Sequence, residues 1–371
     1  MLKFRNTLTG SQMHRLKTTI PRSLAVLIFA SVHCFAQQTE QAAKPKSAPE
    51  TKQATTQQPA AEFDFEAKLK KHIDVLAVEI GERNIGKLKA LNKAADYVEN
   101  QFKEHGYTPT RQTFQCRRVD CHNIACEITG SERPEEIFIV GAHYDSAPGT
   151  PGANDNGSGT AAILVLAERL KDFKPKRTLR FVAFTNEEPP YFQNQGEMGS
   201  WVYAEMCRKE DQNIKGVISL ETMGYYTDKK DSQDYPAIVK PFYPSTGNFI
   251  GVISDTKSSK LQRSVVKAFK KNSTVPCIGA SLPSAIPGVG WSDHWSFWQE
   301  GYVGIMITDT APNRYPHYHE PTDTPDKINF PVYSKVVQGL VAPVMQMANE
   351  SIEQTRKKQA TKPKQKLQKH Q

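Results

Sequence analysis

The stretch IVGAHYDSAPGTPGANDNGSGTAAILVLAERL, residues 139–170, predicts a buried strand, a glycine-rich loop and then a buried helix. The loop carries His143, Asp145 and Asp155 between the two apolar segments. Imidazole and carboxylate groups are costly in such surroundings unless they pair with one another or bind a cation. The stretch therefore predicts a functional site at the end of a buried strand.

Three other apolar segments resemble this first strand, and helical segments separate most of them. The four predicted strands are residues 136–142, 178–185, 214–220 and 302–308. Before them, the alternating patterns of residues 111–118 and 123–130 predict a hairpin. Strands that alternate with helices predict a single α/β domain, in which a mostly parallel mixed sheet is sandwiched between helices.

Titratable side chains follow each of the four predicted strands. In chain order they are His143 and Asp145, then Glu187 and Glu188, then Glu221, and finally Asp309 with His317 and His319. Open α/β sheets bind ligands at the carboxyl ends of their strands, so we expect these side chains to form one site. Two histidines with three or more carboxylates suit zinc or a similar divalent ion. The charges favour two ions, because two Zn²⁺ would balance three carboxylates and a bridging hydroxide.

Six motifs occur in a specific order along the chain: GAHYDS, GANDNGSG, AFTNEE, LETMGYY, SDHWSFW and YHEPTDTPDKIN. In that order they resemble the secreted co-catalytic zinc exopeptidases, a family that includes bacterial leucyl aminopeptidases and glutamate carboxypeptidases. The resemblance covers roughly residues 85–345. It implies the zinc exopeptidase fold, a peptide substrate and two zinc ions per chain.

The same resemblance implies a role for each residue of the motifs. It makes Glu187 the general base and Asp145 the residue that orients a ligand histidine. The implied metal ligands are His143, Asp155, Glu188, Glu221 and His319. Asp155 would bridge both ions, whereas Glu221 stands where many relatives have Asp. Tyr318 lies beside the last ligand and is a candidate donor to the oxyanion, although a packing role explains it equally well.

Two other histidines compete with His319 for the last ligand position. His294 precedes the fourth predicted strand and is expected in a pocket wall, while His317 lacks the right spacing to the downstream Asp-Thr pair. Ser292, Asp293 and His294 are adjacent in sequence, so they cannot form a catalytic triad. The aromatic residues expected to line a substrate pocket are Tyr191, Phe192, Trp291, Trp295 and Trp298.

The resemblance to this family predicts an aminopeptidase that hydrolyses the N-terminal residues of peptides. Glu197 or Asp293 would then bind the free amine of the substrate. A carboxypeptidase is an alternative that needs a fixed cation, for which Arg314 is the candidate. A glutaminyl cyclase-type acyl transferase, which typically uses one zinc ion, is a second alternative. The complete ligand set favours two ions and hydrolysis, and it argues against a non-catalytic binding module.

Five cysteines follow residue 36, and three of them are clustered at Cys116, Cys121 and Cys126. In a secreted protein this spacing predicts a disulfide across the hairpin, with an odd cysteine left over. A cysteine zinc site is the less favoured alternative, because the gaps are wide and no second cluster follows.

The two ends of the chain have compositions unlike that of a folded domain. Residues 1–36 are basic and then apolar, which predicts a signal peptide that is cleaved after Ala36. The signal peptide would start at Met1 or Met13. We therefore expect a secreted or periplasmic protein that has no membrane span after cleavage. Residues 37–62 are predicted to be a disordered tether and residues 355–371 a basic disordered tail. Subtracting five charges for the signal peptide and seven for the tail from the net charge of +9 leaves −3 for residues 63–354, the predicted catalytic domain. The basic total is therefore no sign of nucleic-acid binding, and the sequence predicts no oligomeric state.

Overall fold

The computed structural model describes residues 63–350. The predicted signal peptide, tether and basic tail lie outside the described residues. Within residues 63–350, no helix combines the length and the apolar character that a membrane span requires.

Eight strands form one mixed sheet across the described part of the chain. They are β1 (Thr110–Cys116), β2 (Val119–Ile128), β3 (Arg133–His143), β4 (Arg177–Phe184), β5 (Asn213–Glu221), β6 (Ile250–Ser254), β7 (Cys277–Ser281) and β8 (Gly304–Thr308). The order across the sheet is β1-β2-β4-β3-β5-β8-β6-β7. The four strands predicted from apolar runs, β4, β3, β5 and β8, are neighbours and run parallel. The predicted α/β fold with a mixed sheet is thereby confirmed.

Within residues 63–350, seven α-helices cover the two faces of this sheet. They are α1 (Phe65–Asp74), α2 (Leu88–Glu104), α3 (Gly157–Leu170), α4 (Gly199–Lys209), α5 (Ser259–Asn272), α6 (His294–Gln299) and α7 (Phe330–Asn349). Alternate residues of β3 supply the two cores, because side chains of a strand point to opposite faces. Phe138 and Val140 pack under α1, α2, α3, α5 and α7, whereas Ile137 and Ile139 pack under α4 and α6.

Two strands, β6 and β7, were not predicted from the sequence, and both lie beyond β8 at one edge of the sheet. Strands β6 and β7 are only five residues long, and Gly251 and Gly279 interrupt their apolar runs. Such short segments do not show a period, so their place in the sheet is decided by pairing with neighbours. Strand β6 pairs antiparallel with β8 and parallel with β7.

The predicted disulfide of the hairpin is wrong, since all five cysteines of the described region are free and buried. The hairpin register sets Cys116 opposite Val119 and Cys121 opposite Phe114, so the two cysteines are not directly opposed. Both thiols instead pack with Tyr191 in a small apolar cluster.

Candidate metal centre and active site

The site lies where the four central strands end. Strand β3 ends at His143 and β5 ends at Glu221, while Glu187 and Glu188 lie three and four residues after the end of β4. Asp155 comes from the loop that precedes α3. Because β4, β3, β5 and β8 are adjacent and parallel, their carboxyl ends bring these side chains to one edge of the sheet.

Two groups of side chains have the composition of metal sites, and they share one residue. His143, Asp155 and Glu221 form the first group, and Asp155, Glu188 and His319 form the second. Ligand atoms within each group all lie within 4.8 Å of one another. The structure thus brings together all five residues that the sequence named as metal ligands, with Asp155 in the shared position.

Short distances connect the members of each group. In the first group, His143 Nε2 lies 3.1 Å from Glu221 Oε2 and 3.6 Å from Asp155 Oδ1. In the second group, His319 Nε2 lies 3.1 Å from Asp155 Oδ2 and 3.0 Å from Glu188 Oε2. Each carboxyl oxygen of Asp155 therefore faces a different histidine, which is the arrangement that a bridging ligand needs.

Unpartnered polar atoms indicate that these groups are built for cations. Asp155 Oδ1 and Glu188 Oε1 are buried and have no hydrogen-bond partner among the described residues. Buried polar groups are normally satisfied, so a cluster of orphaned ligand atoms needs an explanation such as a bound ion. Imidazole nitrogens with carboxylate oxygens are a donor set that suits zinc, and the residues present fit that metal.

The electrostatics of the cluster show how strongly it favours positive charge. Burial raises the pKa of Glu188 to about 8, and the neighbouring charge of Asp155 adds to this rise. Burial by itself would lower the pKa of His319, but hydrogen bonds to Asp155 and Glu188 raise it to about 10. For His143, burial again opposes the charged form, and Glu221 and Glu187 raise its pKa well above the usual value. In the absence of metal, bound protons therefore neutralise negative charge that metal cations would otherwise neutralise.

Glu187 is the glutamate of the pair that belongs to neither group. Its Oε2 lies 3.8 Å from His143 Nε2, and its side chain is almost completely buried. Burial raises the pKa of Glu187 well above the usual range, so its carboxylate is a stronger base than one in water. A free, basic carboxylate beside a candidate metal centre has the properties of a general base.

Asp145 connects this base to the metal groups. Its Oδ1 lies 3.3 Å from His143 Nδ1 and accepts a hydrogen bond from the backbone N–H of Glu187. Its Oδ2 accepts from the backbone N–H of Glu188. One carboxylate thus holds the ring of His143 and the start of the Glu187–Glu188 loop, which fixes the distance between base and ligands.

Two further carboxylates support the loop that carries Asp155: Asp309, which was expected at the site from its place after a strand, and Asp323, whose role was not predicted. Asp323 accepts hydrogen bonds from the backbone N–H groups of Asn154 and Asp155 at 2.8 and 3.0 Å. Asp309, the residue after β8, accepts from the side chain of Asn154 at 2.9 Å. Asp323 is the Asp of the YHEPTDTPD motif, so the motif contained the signal, but its backbone partners became visible only in the fold.

Left-handed backbone conformations mark the points where the chain turns into the site. Asn186, Thr222 and His319 have φ angles of 56°, 43° and 59°. Such values cost free energy in residues other than glycine and tend to occur at functional sites. Asn186 precedes Glu187, the candidate base, Thr222 follows Glu221, a candidate ligand, and His319 is itself a candidate ligand.

The competing histidines lie outside both metal groups. His294 is buried in α6, where its Nε2 contacts the carbonyl of Val289 and burial lowers its pKa to about 4. His317 is hydrogen-bonded through Nδ1 to Thr322. Only His319, of the three histidines considered for the last ligand position, reaches the cluster.

Three other predicted residues are placed as follows. Tyr318 lines the apolar cavity described below and stacks on His319 with ring centroids 3.9 Å apart. Asp293 is completely buried, and burial raises its pKa to about 7. Arg314 is also buried, and its guanidinium donates to Gln233 and to the carbonyls of Tyr225 and Phe249. Neither Asp293 nor Arg314 lines that cavity.

An apolar cavity of about 100 Å³ opens directly beside the metal groups. Glu221 and Tyr318 lie at its metal end. Its walls are mainly apolar and come from strands β6, β7 and β8 and the loops around them: Tyr235, Val239, Tyr243, Phe249, Gly251, Ile253, Ile278, Ala280, Leu282, Ile286, Trp291 and Met306. Of the aromatic residues expected in a pocket, Trp291 lines this cavity, whereas Tyr191 lines a second cavity together with Glu82 and Asn84.

Known proteins resemble this chain in sequence and in fold. Residues 123–343, more than half of the chain, match Peptidase family M28. The uncharacterized protein YfbL of Escherichia coli is 35% identical over 283 residues, which are 74% of this chain and 86% of that protein. Leucine aminopeptidase 1 of Arthroderma otae is 28% identical and is matched over 59% of this chain and 57% of its own length.

Solved structures with the same fold include two kinds of enzyme. The zinc aminopeptidase BSAP from Bacillus subtilis superposes with a TM-score of 0.61 at 17% identity, over 78% of this chain and 97% of that protein. A glutaminyl cyclase from Fimbriiglobus ruber superposes with a TM-score of 0.57 at 21% identity, over 80% and 99% of the two chains. At these identities the fold is shared, and the matched sequence family carries the assignment: the chain belongs to Peptidase family M28, so its resemblance to the co-catalytic zinc exopeptidases is confirmed.

Proposed function

We propose that this protein is a two-zinc aminopeptidase that removes large apolar residues from the N-termini of peptides. The observation that carries the proposal is the apolar cavity that opens beside Glu221 and Tyr318 at the metal groups. A side chain placed in that cavity puts the adjacent peptide carbonyl within reach of the ligand cluster. Apolar walls favour Leu, Met or Phe, because burial of apolar surface is the main source of affinity in such pockets.

The charges around the cavity favour a substrate with a free amine. Among the described residues that line it, Glu221 is an acid and no Lys, Arg or His is present. A carboxypeptidase needs a fixed cation for the substrate carboxylate, and the guanidinium of Arg314 is engaged with Gln233 and two backbone carbonyls. An amine, in contrast, needs no cation for its recognition, and none of the described residues that line the cavity would repel it.

The metal ligands would be His143, Asp155 and Glu221 for one zinc ion, and Asp155, Glu188 and His319 for the other. The chemistry that zinc supplies when bound is the acidification of a water molecule and the polarisation of the substrate carbonyl. The names of several relatives support zinc as the metal, for example a probable zinc metalloprotease of Pyrenophora tritici-repentis. The two residue groups and the shared Asp155 support the proposal of two ions per chain.

The residues of this chain would divide the remaining work. Glu187 takes a proton from the attacking water at its Oε2 and passes it to the leaving amine, since it is buried, basic and outside both metal groups. Asp145 holds Glu187 and His143 in a fixed position relative to each other through its contacts with both. Burial and nearby carboxylates raise the pKa of Tyr318, so its hydroxyl stays protonated and is able to donate to the oxyanion.

The decisive experiment combines metal analysis with activity on defined substrates. Zinc is counted in purified residues 37–371, and leucyl-, phenylalanyl-, glutamyl- and N-terminal glutaminyl peptides are assayed with the wild type and Glu187→Ala. Two zinc ions per chain and release of leucine or phenylalanine, lost in the variant, are expected. Release of pyroglutamate with one zinc ion would instead establish a cyclase, and cleavage only at free C-termini would establish a carboxypeptidase.

We also propose that the chain acts outside the cytoplasm, as a secreted or periplasmic enzyme. The proposal rests on the basic and apolar pattern of residues 1–36, which the described structure does not include. Cell fractionation followed by N-terminal sequencing tests it, with a mature chain that begins near Gln37 as the expected result. An intact Met1 or Met13 in cytoplasmic protein would refute it.

A further inference from the structure

Arg83 is a buried cation that belongs neither to the metal groups nor to the predicted motifs. It lies 40 residues before the region that matches the peptidase family. Its side chain is completely buried, and no carboxylate of the described residues forms an ion pair with it within 4.0 Å. A buried guanidinium without a paired acid is costly, so its hydrogen bonds must serve a purpose.

Every donor contact of the Arg83 side chain goes to a backbone carbonyl. Nε donates to Tyr144 at 2.6 Å, Nη1 donates to Pro151 at 2.5 Å, and Nη2 donates to Gly152 at 2.7 Å. Nη1 also contacts the carbonyls of Leu76 and Gly81 at 3.3 Å. The guanidinium fork therefore connects the two ends of the loop between His143 and Asp155 and fastens that loop to the preceding turn.

The backbone of Arg83 contacts the same loop. Its N–H donates to Ser146 Oγ at 3.1 Å, and its carbonyl accepts from the N–H of Ser146 at 3.0 Å. Gly152, whose carbonyl receives the guanidinium, has a φ of 60°, and a Cβ there would lie 2.4 Å from the carbonyl of Asp155. The loop is thus packed so tightly at Gly152 that a shift of this residue would move Asp155.

We propose that Arg83 is a positioning residue for the metal ligands, which holds the His143–Asp155 loop in the conformation that binds zinc. The inference rests on the proposed zinc site and concerns geometry rather than charge. A positive charge near the site opposes the binding of a cation, whereas the fork of hydrogen bonds favours it by fixing the loop before the metal arrives. Lysine keeps the charge but cannot form the planar fork, so it separates the two effects.

The test measures zinc dissociation constants by competition with a chromophoric chelator, together with the melting temperature of the metal-free protein. The variants are Arg83→Lys and Arg83→Met. The matched controls are Arg177→Lys and Arg177→Met, because Arg177 is also buried but pairs with Glu136 at the opposite end of the sheet. All four variants are expected to melt earlier. Only the Arg83 variants are expected to bind zinc more weakly, by about 10-fold to 100-fold. Arg83→Lys is expected to bind zinc at most about threefold more tightly than Arg83→Met.

Ser146→Ala serves as a milder variant that keeps the charge and tests the same loop if the Arg83 variants do not fold. Removing its hydroxyl deletes the acceptor of the Arg83 N–H and the donor to the carbonyl of Thr150, so a weakening of zinc binding of about threefold or more is expected. Unchanged affinity in folded Arg83 variants, tighter binding in Arg83→Met, or unchanged affinity in Ser146→Ala would each overturn the inference. A wild-type chain without zinc would overturn the proposed function as well, which distinguishes the two failures.

Discussion

The carboxylate of Asp323 accepts the backbone N–H of Asp155 at 3.0 Å, although the two residues are 168 positions apart in sequence. The other oxygen of Asp323 accepts from the N–H of Asn154 and from the hydroxyl of Tyr315, both at 2.8 Å. Asp323 therefore anchors the backbone from which Asp155, the proposed bridging ligand, projects. It also connects the last motif, YHEPTDTPDKIN, to the motif GANDNGSG, which contains Asn154 and Asp155.

Asp323→Asn is expected to weaken zinc binding by about 10-fold to 100-fold, the range typical of residues that orient a metal ligand. The amide keeps one oxygen acceptor but replaces the other with a donor that faces the N–H of Asn154 or Asp155. The zinc dissociation constant, measured by chelator competition, provides the check. Wild-type affinity in the variant would show that the loop keeps its conformation without this anchor.

The two adjacent glutamates are expected to differ in what their substitution removes. Glu187→Gln should keep its zinc and lose turnover by about 100-fold to 10,000-fold, because it removes only a proton acceptor. Glu188→Gln should lose zinc, because Glu188 belongs to the second metal group. Zinc analysis and kcat are measured on both variants. Loss of metal in Glu187→Gln with retention in Glu188→Gln would mean that the two roles are reversed.

His319→Asn is expected to lower zinc affinity by at least about 100-fold, because it removes a ligand itself rather than a residue that orients one. His317→Asn is the matched control, two residues away and hydrogen-bonded to Thr322. It should bind zinc as the wild type does. Equal effects of the two substitutions would argue for a general disturbance of this loop.

Enlarging a wall residue of the cavity should change substrate preference. Ala280 lines the cavity from β7, and Ala280→Leu adds three carbon atoms to it. Peptides with N-terminal Phe or Leu should lose kcat/KM by about 10-fold or more relative to peptides with N-terminal Ala, since single methylene groups already change such ratios by 10-fold to 200-fold. Ala280→Ser keeps the size and is expected to leave the ratio unchanged. A uniform loss over all substrates would refute the cavity as the pocket for the substrate side chain.

Acid should destabilise the protein partly through His72, a buried histidine of α1 whose Nδ1 lies 2.7 Å from the Tyr97 hydroxyl. Burial lowers the pKa of His72 from 6.5 to about 3. A depressed pKa of a base means that the folded state resists protonation, so this contribution is complete above pH 6.5 and is lost as the pH falls from about 6.5 towards 3. At pH 5 the loss amounts to about 2 kcal/mol.

His72→Gln removes this contribution and should flatten the dependence of the free energy of unfolding on pH between 7.5 and 5. Urea unfolding of the metal-free protein measures it, so that release of zinc does not add to the slope. Parallel curves for the wild type and the variant would show that the pKa of His72 is the same in the folded and unfolded states, and would refute the prediction.

The sequence alone determined the class of fold and most of the site. Apolar runs at 136–142, 178–185, 214–220 and 302–308 are long enough to predict buried parallel strands, and parallel strands bring their carboxyl ends to one edge. Residue identity next to each strand end therefore predicted where His143, Glu188 and Glu221 would converge. The two glycine-containing strands β6 and β7 carried too little pattern to be recognised.

Only the tertiary structure decided which of several plausible side chains reach the cluster and what supports them. His294 and His319 are alike as residues, but α6 turns one towards the carbonyl of Val289 while a left-handed turn brings the other to Asp155. Arg83 and Asp323 form hydrogen bonds with the backbone of the loop between His143 and Asp155. Because every residue has a carbonyl and nearly every residue has an N–H, the sequence of that loop does not show which backbone groups Arg83 and Asp323 contact. Local patterns encode strands and their ends, whereas contacts between distant segments depend on how the layers pack.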